Sequence, residues 1–213
     1  MSAHGAKLRA VFFAVLVTSA MLVGVVTIPT GTASAATTLT TTVNGQTVDL
    51  TYVGEGTSAS PYQIDTLAKL QGMQADRAAA YVLVQDIDAS ATQEWNGGEG
   101  FAPIGAEHPR FTGSFDGANY AITGLTVDRK GQLNGLFGLV NGGVIESVGL
   151  LKVNVTGDKN VGGLVGLMKG GTVVRESYTT GSVSAGEKIG GLVGQVQGDS
   201  NRIVRSYSST TVT

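Results

Sequence analysis

Beyond residue 133 the apolar positions come in short runs broken by glycine: NGLFG at 134 to 138, VGGLVG at 161 to 166 and IGGLVG at 189 to 194. Gly135, Gly163 and Gly191 stand 28 residues apart, as do Leu136, Leu164 and Leu192, and Gly138, Gly166 and Gly194. Such a run makes a poor isolated strand, because glycine loses the most freedom on ordering and has no side chain to pack. A fixed period explains it, since a unit of this length that cannot bury its own apolar face must stack on copies of itself. Within one unit the pieces VGGLVGLM, TVVRESY and GSVSA are divided by Gly170-Gly171, Thr180-Gly181 and AGEK, which predicts three strands and three turns per coil. The next unit repeats the order as IGGLVGQV, RIVRSYS and TTVT. Tyr178 and Val183 are answered by Tyr207 and Val212 at a spacing of 29, and the additional residue falls in the turn QGDSN, where a surface loop tolerates it.

The pattern predicts an all-β chain, a right-handed parallel β-helix or solenoid with coils of about 28 residues. Equivalent residues then lie about 4.8 Å apart in successive coils. Gly135, Gly163 and Gly191 would form a row without side chains, where the chain bends and backbones approach, and the leucines an internal apolar ladder. Before the repeats, Asn44-Gly45 sits between two alternating runs, a two-residue hairpin signal. A short helix follows, with Asp65 or Thr66 as cap and Leu67, Leu70 and Met73 along one side, then a strand from Tyr81 to Ile87. A solenoid needs an atypical end, so residues 43–133 are expected to form an N-terminal cap and the first coils, and 134–213 the repeats. The third repeat stops at TTVT, as in a fragment or truncated product of a longer chain.

The first residues read differently. Lys7 and Arg9 lead into an apolar run from Ala10 to Val26, then Pro29 and Ala33-Ser34-Ala35, the pattern of a secretory signal peptide over residues 1–35 with cleavage near Ala35. An uncleaved membrane anchor is the rival reading. The Thr-rich stretch 36–42 reads as a spacer.

Composition narrows the partners. With Lys7 and Arg9 set aside from the 14 Lys and Arg, 12 basic residues face 16 acidic ones, a net charge of about −4, and no basic cluster exists to neutralise phosphates. Nucleic acid is not expected as a partner, nor a membrane once the signal is cleaved. The chain has no cysteine, hence no disulfide framework and no thiolate metal site. No cofactor is expected. Glycine, at 32 of 213 residues with only 4 prolines, is positional rather than collagen-like.

The order PYQIDTLAKL, YVLVQDID, APIG, FTGSFDGANYAITGLTV, NGLFG, VIESVGL, VNVTG, VGGLVG resembles the bacterial secreted and surface proteins that carry the GLUG motif, over roughly residues 54 to 213. Similar repeats occur in immunoglobulin A-specific metallopeptidases and haemagglutinin-like adhesins. The resemblance implies an extracellular β-solenoid module, without implying one activity. The zinc motif H-E-x-x-H of such peptidases is missing, and His108 is the one histidine beyond the signal.

Candidate chemistry falls in two places. Asp86 and Asp88 in QDIDAS share a face of a strand, which could suit a calcium ion or paired acid and base roles. Two carboxylates without a glycine-loop partner motif are a weak calcium signal, and the favoured reading is that they cap the following turn, so no metal site is expected. The interruption 89–110 carries Glu94, Trp95, Glu99, Phe101, Glu107 and His108, a candidate ligand loop in which Trp95 could stack on a sugar ring. The alternative is that Trp95 and Phe101 close over the end of the core. These features predict a non-enzymatic secreted or cell-surface module for adhesion, ligand binding or spacing. Its partner would be a glycan or protein, or further repeats of a longer chain. The competing expectations are a carbohydrate-active β-helix enzyme and an accessory part of a larger surface peptidase.

Overall fold

The computed structural model describes residues 35–213. The expected signal segment, Ala35 apart, lies outside them. Among the described residues no helix is long and apolar enough to cross a membrane.

In chain order, strands β1 (Ala36–Val43), β2 (Gln46–Val53) and β3 (Tyr62–Ile64) precede the short helix α1 (Leu67–Gly72). Strands β4 (Ala80–Leu83) and β5 (Ile87–Asp88) lead into a 3-10 segment, Ser90–Gly98. There follow β6 (Ser114–Asp116), β7 (Ala121–Thr123), β8 (Thr126–Asp128), β9 (Gln132–Asn134) and β10 (Phe137–Asn141). The later coils are β11 (Val144–Glu146), β12 (Gly149–Gly162), β13 (Val165–Lys169), β14 (Val173–Arg175), β15 (Tyr178–Gly190), β16 (Val193–Gln197), β17 (Arg202–Val204) and β18 (Tyr207–Val212).

β1 and β2 form an antiparallel hairpin closed by Asn44 and Gly45, both at positive φ as a type I′ turn requires. The stretch 36–42, expected as a spacer, is paired as β1, because its alternating threonines and Leu39 match β2 residue for residue. The remaining strands build a parallel β-solenoid of about four turns. Its three sheets have the orders β17-β14-β11-β6-β4-β3, β18-β15-β12-β7-β5 and β10-β13-β16. Parallel bridges from Ile104 to Phe137 and from Phe111 to Val140 extend the third sheet to the loop before β6. The expected strand Tyr81–Ile87 is broken between β4 and β5, since these belong to different sheets and the chain turns a corner through exposed Val84, Gln85 and Asp86.

The repeat register is the one the sequence predicts. Phe137, Val165 and Val193 pair in succession at 28 residues, and Tyr178 pairs Tyr207 and Val183 pairs Val212 at 29. Each glycine-rich run is itself a corner: β12 ends at Gly162, the chain bends at Gly163 and Leu164, and β13 begins at Val165. Leu136, Leu164 and Leu192 point inward and are buried. Gly163 and Gly191 do not have positive φ; what excludes a side chain is proximity, since a Cβ on Gly163 would lie 2.5 Å from the carbonyl oxygen of Gly191 in the next coil. That oxygen accepts the Gly163 N–H at 3.0 Å.

Between the corners the step varies. Val144, Val173 and Arg202 pair at 29, and Gly149 with Tyr178 likewise, but Val153 pairs Gly181 at 28 across a bulge after Leu150. The residue inserted at Thr172 is thus absorbed at Lys152. Thr172 closes its own turn: its Oγ1 donates to Lys169 O at 2.6 Å and accepts the Gly142 N–H of the coil before at 3.0 Å. Asn201, one coil later, accepts the Thr172 N–H at 3.0 Å in the same way.

Candidate functional site

The residues around the hairpin enclose an open cleft of about 990 Å³, at the upper end of ordinary ligand-site volumes. Its walls come from β1 and its turn, α1 and the turn after it (74–77), the loop 96–107 and the segment 128–134. Each wall has a local cause. Thr66 caps α1 by accepting the Lys69 N–H, and Asp65 pairs with Lys69 at 2.9 Å, so the six-residue helix forms despite its length. Leu70 and Met73 are fully buried, which anchors the helix and the turn after it beside the cleft. Buried Gln71 accepts the Ala102 N–H and donates to Ala102 O, both at 2.9 Å. Gln74 donates to Ala102 O at 3.1 Å and Pro103 O at 3.0 Å, and accepts from Arg77 Nε at 2.8 Å. Arg77 donates onward to Pro109 O at 2.8 Å. Burial draws the Arg77 guanidinium below its ordinary value, and the Glu107 carboxylate opposes that shift.

The second wall is charged. Arg129 donates to Phe101 O at 3.1 Å and pairs with Glu99 at 3.1 Å, while Asn134 donates to Arg129 O at 2.8 Å. Asn96, at positive φ, donates its backbone N–H to the Asn44 side chain at 2.7 Å, which ties the hairpin turn to the loop.

Of the residues expected to form a ligand loop, the cleft brings together Glu99 and Glu107. Glu94 is exposed on the 3-10 segment, and Trp95 is half-buried with its ring packed on the core. Phe101 is fully buried in the core, and its backbone oxygen, not its ring, serves the site. His108 lies at a separate hollow of about 330 Å³ with Pro109 and Arg110. The six side chains therefore do not converge. Asp86 accepts the Ala121 N–H at 2.8 Å, and Asp88 accepts the Ser90 N–H at 2.9 Å, a bond that holds its carboxyl below the usual range. Among the described residues no group of three or more His, Asp or Glu is placed to hold a metal ion. Gln71, Gln74, Arg77, Arg129 and Lys130 were not singled out by sequence. The one available signal was the unusual placing of two glutamines, Gln71 on a short helix and Gln74 in the turn just after it, beside the apolar stripe.

No protein-family model matches the chain. Over 153 residues, 62% of its length, it is 43% identical to halomucin of Haloquadratum walsbyi, and over 109 residues, 49% of its length, it is 41% identical to a "Putative Gly-rich membrane protein" of Evansella cellulosilytica. The matching stretches are 2% and 12% of those two proteins. The crystal structure of a "putative immunoglobulin A1 protease" from Bacteroides ovatus superposes with a TM-score of 0.54 at 17% identity, over 74% of this chain and 61% of that one. That likeness is one of fold.

Proposed function

We propose that the protein is a GLUG-type module of a secreted or cell-surface protein, a β-solenoid that spaces and attaches and catalyses no reaction. The observation that carries this reading is the stacking: all three sheets continue through the last coil, one strand per turn, so the module is a rod of fixed rise per repeat with a polar cleft at its capped end. The similarity to halomucin and to a Gly-rich protein named as a membrane protein supports an outer-surface setting. Attachment would be to a glycan or a protein through the cleft.

Two measurements on the same preparation test it. Antibody labelling of intact cells is expected to reach the protein, and arrays of glycans and extracellular proteins are expected to show retention. Reducing-end release from a polysaccharide panel, abolished in Asp86→Asn, would overturn the non-catalytic reading. Labelling that requires permeabilised cells would overturn the surface setting.

A further inference from the structure

One wall of the cleft is the outer edge of β1. A two-residue turn makes Val43 and Gln46 a hydrogen-bonded pair, and such pairs alternate along an antiparallel ladder, so Thr41 with Val48, Leu39 with Leu50 and Thr37 with Tyr52 exchange backbone bonds. Gly54 N–H donating to Ala35 O at 2.7 Å continues the alternation. Thr38, Thr40 and Thr42 therefore turn their N–H and C=O groups away from β2. Among the described residues no backbone partner meets them. Thr40, Thr41 and Thr42 all line the cleft, and three consecutive residues of a strand can do so only where the strand presents its edge.

The same cleft is lined by Asp128, Arg129, Lys130 and Gln132. Arg129 is committed to Glu99, whereas Lys130, Asp128 and Gln132 make no side-chain hydrogen bond or ion pair among the described residues. The lining contains no aromatic ring, so a sugar would find no face to stack on. An unpaired edge with its own regular donors and acceptors is instead a template for another strand.

We propose that the cleft binds an extended peptide as an added strand on β1, engaging the outward groups of Thr38, Thr40 and Thr42, with charges of both signs that answer Lys130 and Asp128. This goes beyond the spacer reading and holds whether or not the protein stands on a cell surface. Its test is therefore made on purified protein: a displayed random heptapeptide library is panned against wild type and Thr40→Pro, with a glycan array in parallel. Proline at Thr40 deletes an outward N–H and leaves every β1–β2 backbone bond in place, removing besides only the exposed Thr40 Oγ1–Asp49 hydrogen bond, so far-UV circular dichroism should be unchanged. Peptides selected on wild type should bind Thr40→Pro at least tenfold more weakly. Lys130→Glu should shift the selected sequences from acidic to basic at one position. In wild type the selected peptide should also slow amide exchange at Thr38, Thr40 and Thr42, a readout that needs no variant. No enriched peptide, equal binding to Thr40→Pro with those amides unprotected, or glycan retention in place of peptide binding would each overturn the proposal.

Discussion

From Tyr52 to Phe137 the core is built on rings, and among the described residues no fully buried ring follows Phe137. Tyr52, Tyr62 and Tyr81 lie with centroids 5.3 to 6.3 Å apart under the hairpin, and Phe111 and Phe115 meet Phe137 at 4.8 and 5.6 Å. The later coils are filled by leucine, isoleucine, valine and methionine in rows, such as Ile145 on Val174 or Val155 on Val183. The first region encloses loops of unequal length, and bulky side chains fill whatever space those loops leave. The second repeats one cross-section, so each residue need only suit its own counterpart above and below. Burial in a row accordingly depends on both neighbours: Ile145 and Val174 are fully buried while Ile203, next in the same row, is 44% exposed.

The largest expected effect tests the seam between these regions. Phe137 belongs to the first strand of the regular sheet yet packs on the rings before it, so Phe137→Ala should cost about 3–5 kcal/mol and lower the urea midpoint seen both by Trp95 fluorescence and by far-UV circular dichroism. A shift in one signal alone would mean that the two regions do not share a core. Gly163→Val lies within the regular coils and should cost about 1–3 kcal/mol, because its side chain meets the backbone of the next coil rather than a movable side chain. An unchanged midpoint would dissolve the stacked glycine row.

Titration should separate the regions from opposite directions. Burial raises the hydroxyl groups of Tyr52 and Tyr81, which donate to Lys69 O and Asp76 O, so their contribution is complete below pH 10 and is lost as pH rises beyond it. Alkali should therefore perturb the ring-built region first, which Tyr81→Phe should delay. Glu176, held below its ordinary 4.5 by Arg205 of the next coil, contributes above that value and loses its contribution as pH falls through the lower one. Being exposed, this pair should give the smallest effect, a slight loss of acid resistance in Glu176→Gln that fades in high salt.

The regular region was legible because one physical rule, self-compatibility at a fixed step, writes itself into sequence as Gly163 under Gly191 and Tyr178 under Tyr207. The latter rings stack 5.3 Å apart at an interplanar angle of 6°. Its other corners were not legible. Ser147, Glu176 and Arg205 share a left-handed backbone conformation at steps of 29, but three unlike polar side chains carry no mark of that geometry. In the ring-built region the hairpin and the helix cap could be read from Asn44-Gly45 and Thr66, since both are local. The cleft could not, because its walls join residues as far apart as Gln71 and Ala102, and only the finished fold brings them together.

The hydrogen bonds that join the coils run along the stack, so tension applied along that axis loads them one layer at a time. A coil peeled from the end gives up about 4.8 Å of rod and frees a chain of 28 residues, roughly 95 Å when extended. Lengthening under load would thus proceed in steps some twentyfold longer than the segment lost. The small, repetitive strands that make each coil weak alone would let the rod yield stepwise, while the ring-built end, held by side chains packed in all directions, keeps its shape longest.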